Sequence, residues 1–302
     1  IRLINPNSTA SMTSQALDSA LRVASTGTTV SAVNPAGTPV SIEGSADEAM
    51  AVPAMLAEIR KGETQGVDAY VIACFDDPGL HAAREVARGP VIGICQAAVQ
   101  VAMTISRRFS IVTTLPRSVP IIEEIIQAYG AGHHCRAVRA IDLPVLALEE
   151  EPEKAERLLI ETIERAKVED RAEAIILGCA GMSSLCERLT KATGVPVIDG
   201  VTAALKIAEA LVGAGLPLRN HNLLPDRQRR ELLIREGARH ISTRRQSHLH
   251  LTVGSGTSCL TLGIDAPDPR QVEAGDRSFR DRVHRAAACR TVEVDVGLDA
   301  VA

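Results

Sequence analysis

The chain has 302 residues, enough for one large domain or two medium ones. Apolar residues make up 45% and charged residues 23%, a soluble globular balance, and a net charge of −4 gives no electrostatic case for a nucleic-acid or membrane partner. With no Trp, two Tyr and three Phe, the core must be aliphatic.

The first residues, Ile1-Arg2-Leu3-Ile4, read as a strand rather than a signal peptide, and the lack of an initiator Met implies a processed or incomplete chain. After this strand, Arg2–Ile4, the pattern predicts a helix at Ser11–Val23, a strand at Thr28–Val33 and a helix at Ala46–Lys61. A strand at Ala69–Ala73, a helix at Leu80–Ala87 and a strand at Val91–Ile94 follow. The rhythm resumes with a strand at Ser110–Thr113, a helix at Val119–Tyr129, a strand at Arg136–Ile141 and a helix at Pro152–Asp170. Strands at Ala174–Leu177 and Val195–Ile198 precede a last helix at Val201–Ala214, where Leu205, Ala208 and Leu211 recur at helical spacing. Alternation of this kind implies an α/β fold with mainly parallel sheets.

An internal echo organises this region. Val71-Ile72-Ala73-Cys74 and Ile176-Leu177-Gly178-Cys179 each end a strand, and a proline opens the next strand 16 residues after the first cysteine and 17 after the second. Upstream, Asn5 lies 69 residues before Cys74 and Thr113 lies 66 before Cys179, both at strand ends. Two copies of one unit would make two pseudo-symmetric lobes, each a mainly parallel sheet flanked by helices. Equivalent strand ends would then face each other across a cleft, where open α/β sheets bind ligands. The expected division is residues 1–97 plus 196–217 in the lobe of Cys74, and 98–195 in the lobe of Cys179.

Residues 218–302 differ in kind. From Arg219 onward there are 14 Arg, no Lys and five of the eight His, with a net charge of +3 against −7 for the rest. Strands at 249–253 and 260–264 and a charged helix at 226–236 are conceivable, but the βαβ rhythm stops. This tail reads either as a mobile appendage or as sequence from a shifted reading frame.

Seven cysteines, with no CxxC pair and no zinc-like spacing, imply free thiols in a reducing cytoplasm. A cysteine in each lobe suits proton transfer at a stereogenic carbon, which needs one base and one acid on opposite faces. Thiols titrate near pH 8.5 and lower at helix N-termini, so a thiolate/thiol pair is expected near neutrality. Small neighbours, Ala73, Gly178, Ala180 and Gly181, let backbone amides approach a substrate and stabilise an enolate. The alternative is that both cysteines are buried packing residues. Asp77 reads as an N-cap with Pro78 at the first helical position, Asp76 as a group that could tune the thiol, and His81 as a first-turn residue. His133-His134-Cys135 does not make a metal site, because neighbours in a strand point opposite ways. His248 and His250 would share a strand face but lack a third ligand. Cys95 and Cys186 are expected in the core.

Five motifs carry a resemblance: Ile4-Asn5-Pro6-Asn7-Ser8-Thr9, Ala73-Cys74-Phe75-Asp76-Asp77-Pro78-Gly79-Leu80, Ser110-Ile111-Val112-Thr113-Thr114-Leu115-Pro116, Gly178-Cys179-Ala180-Gly181-Met182 and Pro196-Val197-Ile198-Asp199-Gly200-Val201. Together, over Ile1 to about Leu218, they resemble the hydantoin and allantoin racemases of the aspartate/glutamate racemase superfamily. The resemblance implies a cofactor-independent isomerase, without metal or pyridoxal phosphate, acting on a small molecule and assembling as a homo-oligomer. It implies Cys74 and Cys179 as the catalytic pair and Asn5, Phe75, Thr113, Thr114, Gly178 and Ala180 as pocket residues. Such proteins usually end soon after the last helix, so the tail departs from the pattern. Superfamily members acting on amino acids resemble Asp-Ser-Gly where this chain has Asn5-Pro6-Asn7, and no Arg or Lys stands in a pocket motif to clamp a carboxylate. A neutral cyclic ureide is the better match, although Asn5 before Pro6 also reads as a turn residue.

The expected function is racemisation of 5-substituted hydantoins, with allantoin as the alternative substrate. Competing readings are an amino-acid racemase or decarboxylase of the superfamily, the latter needing only one cysteine, and a small-molecule-binding protein whose thiols sense oxidants.

Overall fold

The computed structural model describes residues 1–216 and Leu218; the helix and strands conceivable beyond them lie outside the described residues. The described residues form two four-stranded sheets, each entirely parallel. The first contains β1 (Arg2–Ile4), β2 (Ser31–Val33), β3 (Tyr70–Ile72) and β4 (Val91–Gly93) in the order β2-β1-β3-β4. The second contains β5 (Phe109–Thr113), β6 (Cys135–Ala140), β7 (Ala174–Leu177) and β8 (Val197–Ile198) in the order β6-β5-β7-β8. Both sheets thus put the first strand of the unit beside the cysteine strand. Ile4 pairs with Ile72 in one and Val112 with Leu177 in the other, so Asn5 emerges beside Ala73 and Thr113 beside Gly178, each directly before a cysteine.

β3 and β7 are buried along their whole length, which explains their uninterrupted apolar runs. Helices cover the faces: α1 (Ala10–Val23), α2 (Ser45–Thr64), α3 (Leu80–Val86), α4 (Ile94–Ile105), α5 (Ser118–Ala128), α6 (Ala147–Glu150), α7 (Pro152–Glu169), α8 (Cys186–Thr193) and α9 (Gly200–Gly213). None of the described helices is long and apolar enough to cross a membrane.

The largest core cluster joins both sheets. Leu3, Val71 and Ile92 from the first and Phe109, Ile111 and Ile176 from the second pack with α4 and α9. These two helices touch closely at their starts; a Cβ on Gly200 would sit 2.6 Å from the Ile94 carbonyl oxygen. The sequence pattern does not foresee α4. Its residues, Ile94 to Ile105, carry one narrow polar stripe, Gln96, Gln100 and Thr104 spaced four apart, with Gln100 and Thr104 exposed, while Cys95, Ala98, Val99 and Ala102 are buried on the opposite side. The return to the first lobe also falls later than residue 196. Val197–Ile198 pairs with β7 in the second sheet, and α9 is the element that packs back against α4, β3 and β4.

Candidate active site

The carboxyl ends of β1, β3, β5 and β7 open on one cavity of about 40 Å³, room for only a few water molecules. Asn5, Cys74 and Phe75 line it from the first sheet; Thr113, Thr114, Gly178, Cys179 and Ala180 line it from the second. All eight residues singled out in the sequence therefore reach the same space. The repeat explains why: equivalent strand ends are brought face to face.

The cysteine loop of the first sheet is a compact turn. The Asp77 amide donates to the Cys74 carbonyl at 3.1 Å and the Leu80 amide to the Asp77 carbonyl at 3.2 Å. Asp77 adopts a left-handed conformation (φ 45°), unusual for a non-glycine residue. It does not cap its own helix as the Asp-Pro signal suggests. α3 starts at Leu80, flanked by Gly79, and the buried Asp77 carboxylate turns to the start of α4. There it accepts from the Cys95 amide at 3.1 Å, the Gln96 amide at 2.9 Å and the Tyr129 hydroxyl at 2.7 Å. Position 93 is glycine for this reason, since a Cβ there would collide with the Asp77 carboxylate. Burial pushes Asp77 up to about 7, against the pull of Tyr129, the two amides and Arg84.

The second cysteine loop is built differently. Cys179 flanks a 3-10 turn, Ala180–Leu185, and its carbonyl accepts from the Met182 amide at 3.1 Å. Ser183 in that turn donates to Asp199 at 2.6 Å, and Asp199 accepts from the Val201 and Thr202 amides at 2.9 and 3.1 Å, capping α9. Thr113 donates to the Gly178 carbonyl at 3.2 Å, and a Cβ on Gly178 would lie 2.8 Å from the Thr113 Cβ, so the two strand ends need glycine to approach this closely.

Asn5 organises the loop it belongs to. Its Nδ2 donates to Asn7 Oδ1 at 2.8 Å, Thr13 Oγ1 at 3.0 Å and the Thr9 carbonyl at 3.3 Å, while its Oδ1 accepts from the Asn7 amide at 3.3 Å. The turn reading of Asn5 and its place in the cavity wall are thus both correct.

Burial disfavours the thiolate at both cysteines. Burial pushes Cys74 well up, with Asp76 adding to the shift and the Asp76 amide, bonded to the sulfur, opposing it. Burial likewise raises Cys179 to about 11, opposed by the Gly181 amide and reinforced by Asp76 and Glu43. The expectation of a thiolate poised by a helix N-terminus is therefore corrected: α3 begins six residues after Cys74, only a 3-10 turn follows Cys179, and desolvation outweighs the local amides. Cys74 also responds to Cys179, so the two sulfurs share one electrostatic environment. Asp76, another wall residue, is pushed up to about 7 by burial, then by Glu48 and Asp77. No Lys or Arg stands among the residues that line the cavity.

Asn7, Ala73 and Gly181 also line the wall, and Met12, Ile42, Ser118 and Val145, which were not foreseen, complete it. Ile42 and Val145 lie in irregular loops whose sequence has no period to read; Met12 and Ser118 sit in first helical turns, where position relative to a cavity is a tertiary property. At the rim, Glu43 of the first lobe forms an ion pair with Arg117 of the second. His81 is exposed, and the His134 ring faces the Arg107 carbonyl at 3.1 Å. No cluster able to hold a metal exists among the described residues. Cys95 is buried as expected, Cys186 half-buried, and His248 and His250 lie outside the described residues.

Two parallel sheets, meeting through shared helices and offering one thiol each to a single cavity, define an α/β protein of the two-lobed racemase fold. A family model described as Asp/Glu/Hydantoin racemase matches residues 1–208. A hydantoin racemase of Rhizobium meliloti is 80% identical over 215 residues, covering 71% of this chain and 89% of the relative. A second hydantoin racemase, from Pseudomonas sp. (strain NS671), is 46% identical over 215 residues, 71% of this chain and 86% of the relative. Among solved structures, an allantoin racemase from Klebsiella pneumoniae superposes with a TM-score of 0.73 at 48% identity, covering 75% of this chain and 94% of its own. The chain belongs to the Asp/Glu/hydantoin racemase family.

Proposed function

We propose that this chain racemises 5-substituted hydantoins by two-base proton transfer between Cys74 and Cys179. The observation that carries the reading is the cavity itself, lined by a cysteine from each of two opposed sheets. One sulfur, as thiolate, takes the C5 proton; the C5–H electron pair moves into the ring carbonyl as an enolate; the opposite thiol returns a proton to the other face. In the small-residue loop the Gly178 amide is taken by the Val112 carbonyl and the Gly181 amide by the Cys179 sulfur, so the Cys179 and Ala180 amides would be the ones to stabilise the enolate oxygen. A wall without Lys or Arg suits a neutral ring better than an amino-acid carboxylate. The identity to relatives named hydantoin racemases supports the same substrate class. Allantoin, itself a hydantoin with a ureido group at C5, is the second reading, favoured by the 48% identical allantoin racemase structure.

The transfers use only groups of the chain. A cytoplasmic setting, argued from cysteine usage, and a homo-oligomer, argued from the family resemblance, go with this reading; sedimentation of the purified protein tests the latter. The function is tested by following optical rotation and solvent deuterium at C5 together. Cys74→Ser and Cys179→Ser are each expected to abolish racemisation of both enantiomers. If either variant still racemises both at the wild-type rate, the two-base scheme is wrong.

A further inference from the structure

Burial disfavours the thiolate on both sides of the cavity, which leaves the two-base scheme one step short. A thiol is not a base, and the proton that one of them must lose needs a destination. The cavity wall contains one side chain able to take it. Asp76 lines the cavity beside Cys74, and its backbone amide bonds the Cys74 sulfur. Its charge also acts on Cys179, which comes from the opposite sheet. It makes no side-chain hydrogen bond among the described residues, whereas its neighbour Asp77 is fully engaged by two amides and Tyr129. The Asp76 carboxylate is thus left uncommitted in the wall of the cavity.

We propose that Asp76 takes up the proton released when one thiol ionises, so that the working site holds a single negative charge shared among Cys74, Asp76 and Cys179. The step balances within the site: the S–H bond of one cysteine breaks, an O–H bond forms on Asp76, and the charge moves from carboxylate to sulfur. Racemisation then passes the charge from one sulfur to the other while Asp76 stays protonated. One acid therefore serves both directions.

The groups facing Asp76 favour this exchange. Glu48 from α2 and Asp77 on the same loop are both acidic, and burial with these two neighbours raises the carboxyl to about 7. Glu48 is itself raised by burial and then Asp47, and its Oε1 is buried without a partner. Glu43 adds negative charge near Cys179. Glu48 and Asp77 make a neutral Asp76 easier to form, whereas Asp77 also opposes ionisation of Cys74 and Glu43 that of Cys179. An ionised Asp76 raises both thiols, so protonating it also removes a repulsion that opposes the thiolate.

This inference rests on the two-thiol reading, and its test separates the two. The pH dependence of kcat/KM for a hydantoin is measured between about pH 7.5 and 9 for wild type, Asp76→Asn and Asp76→Glu. An internal transfer does not change the number of protons on the site, so the wild-type profile is expected to be nearly flat. Asp76→Asn has no place for the proton except solvent. Its rate should fall by about a hundredfold at pH 7.5 and climb about tenfold per pH unit. Asp76→Glu, which keeps an acid, should keep the flat shape at a reduced rate. A structural role would lower the rate of Asp76→Asn without tilting its profile, and that result overturns the proposal. If Asp76→Asn does not fold, a tilted profile for Asp76→Glu overturns it equally. Should both Cys→Ser variants lose racemisation while Asp76→Asn keeps a flat profile, the thiol pair stands and only the role of Asp76 falls.

Discussion

The two cysteine loops occupy equivalent places in equivalent sheets, yet they are held by different means. Each is tied to the helix that follows the next strand. In the first lobe the tie is direct, with Asp77 from the loop bonding the start of α4. In the second it is indirect, with Ser183 from the loop bonding Asp199, which caps α9. The helix-flanking position that is Asp199 in one lobe is Gly93 in the other, and the Asp77 carboxylate fills the space a side chain there would need. The difference teaches that pseudo-symmetry constrains where the sulfurs stand, not how they are supported. It also concentrates acid on one side: the Cys74 loop brings Asp76 and Asp77, while the Cys179 loop, Ala180-Gly181-Met182-Ser183, brings none.

This asymmetry can be broken by mutation. Asp77→Ala leaves two buried amides and the Tyr129 hydroxyl without their acceptor and should cost about 2–4 kcal/mol. Ser183→Ala removes one bond and leaves Asp199 its two amides, so about 1 kcal/mol is expected. Chemical denaturation of the two variants measures both; equal costs would mean the loops are supported alike after all.

A smaller effect separates stability from activity at Asp76. Its carboxyl sits at about 7 in the folded chain, above the roughly 4 of an unfolded Asp. Between those values the folded state holds more protons, so this group's contribution makes stability fall as pH rises from about 4 to 7 and level off above. Asp76→Asn should therefore melt higher than wild type at pH 8, by about 1 kcal/mol, and show little gain at pH 4. A variant less stable than wild type at pH 8 would contradict the raised carboxyl. The smallest effect is expected at the rim, where Arg117 is 63% exposed. Arg117→Ala should change stability by less than about 1 kcal/mol, and a larger loss in thermal melts would show that the Glu43 contact does more than an exposed ion pair usually does.

The features most legible in the sequence are those that burial writes locally. β3 and β7, sealed on both faces, read as apolar runs; the repeated strand-cysteine pattern pointed Cys74 and Cys179 to one cleft, while Phe75, Thr114, Gly178 and Ala180 in the same wall were named only through the family resemblance. Features set by distant partners were less legible. α4 escaped although Gln96, Gln100 and Thr104 give it a polar stripe, because β4 ends at Gly93 and α4 starts at Ile94, with no loop between them to mark a new element. Asp77 followed by Pro78 reads as a local cap, and only the fold reveals that α4 is its partner. The upward shift of the thiols is illegible for the same reason: nearby amides and helix starts are visible in the chain, whereas the burial that outweighs them comes from both sheets together.

The account rests most heavily on two sulfurs serving opposite faces of one carbon. The direct measurement is solvent deuterium exchange at C5, enantiomer by enantiomer, in the single Cys→Ser variants. Each variant is expected to exchange one enantiomer, the opposite one in each case, with no loss of optical purity. Exchange of the same enantiomer by both variants, or undiminished racemisation by either, would contradict it.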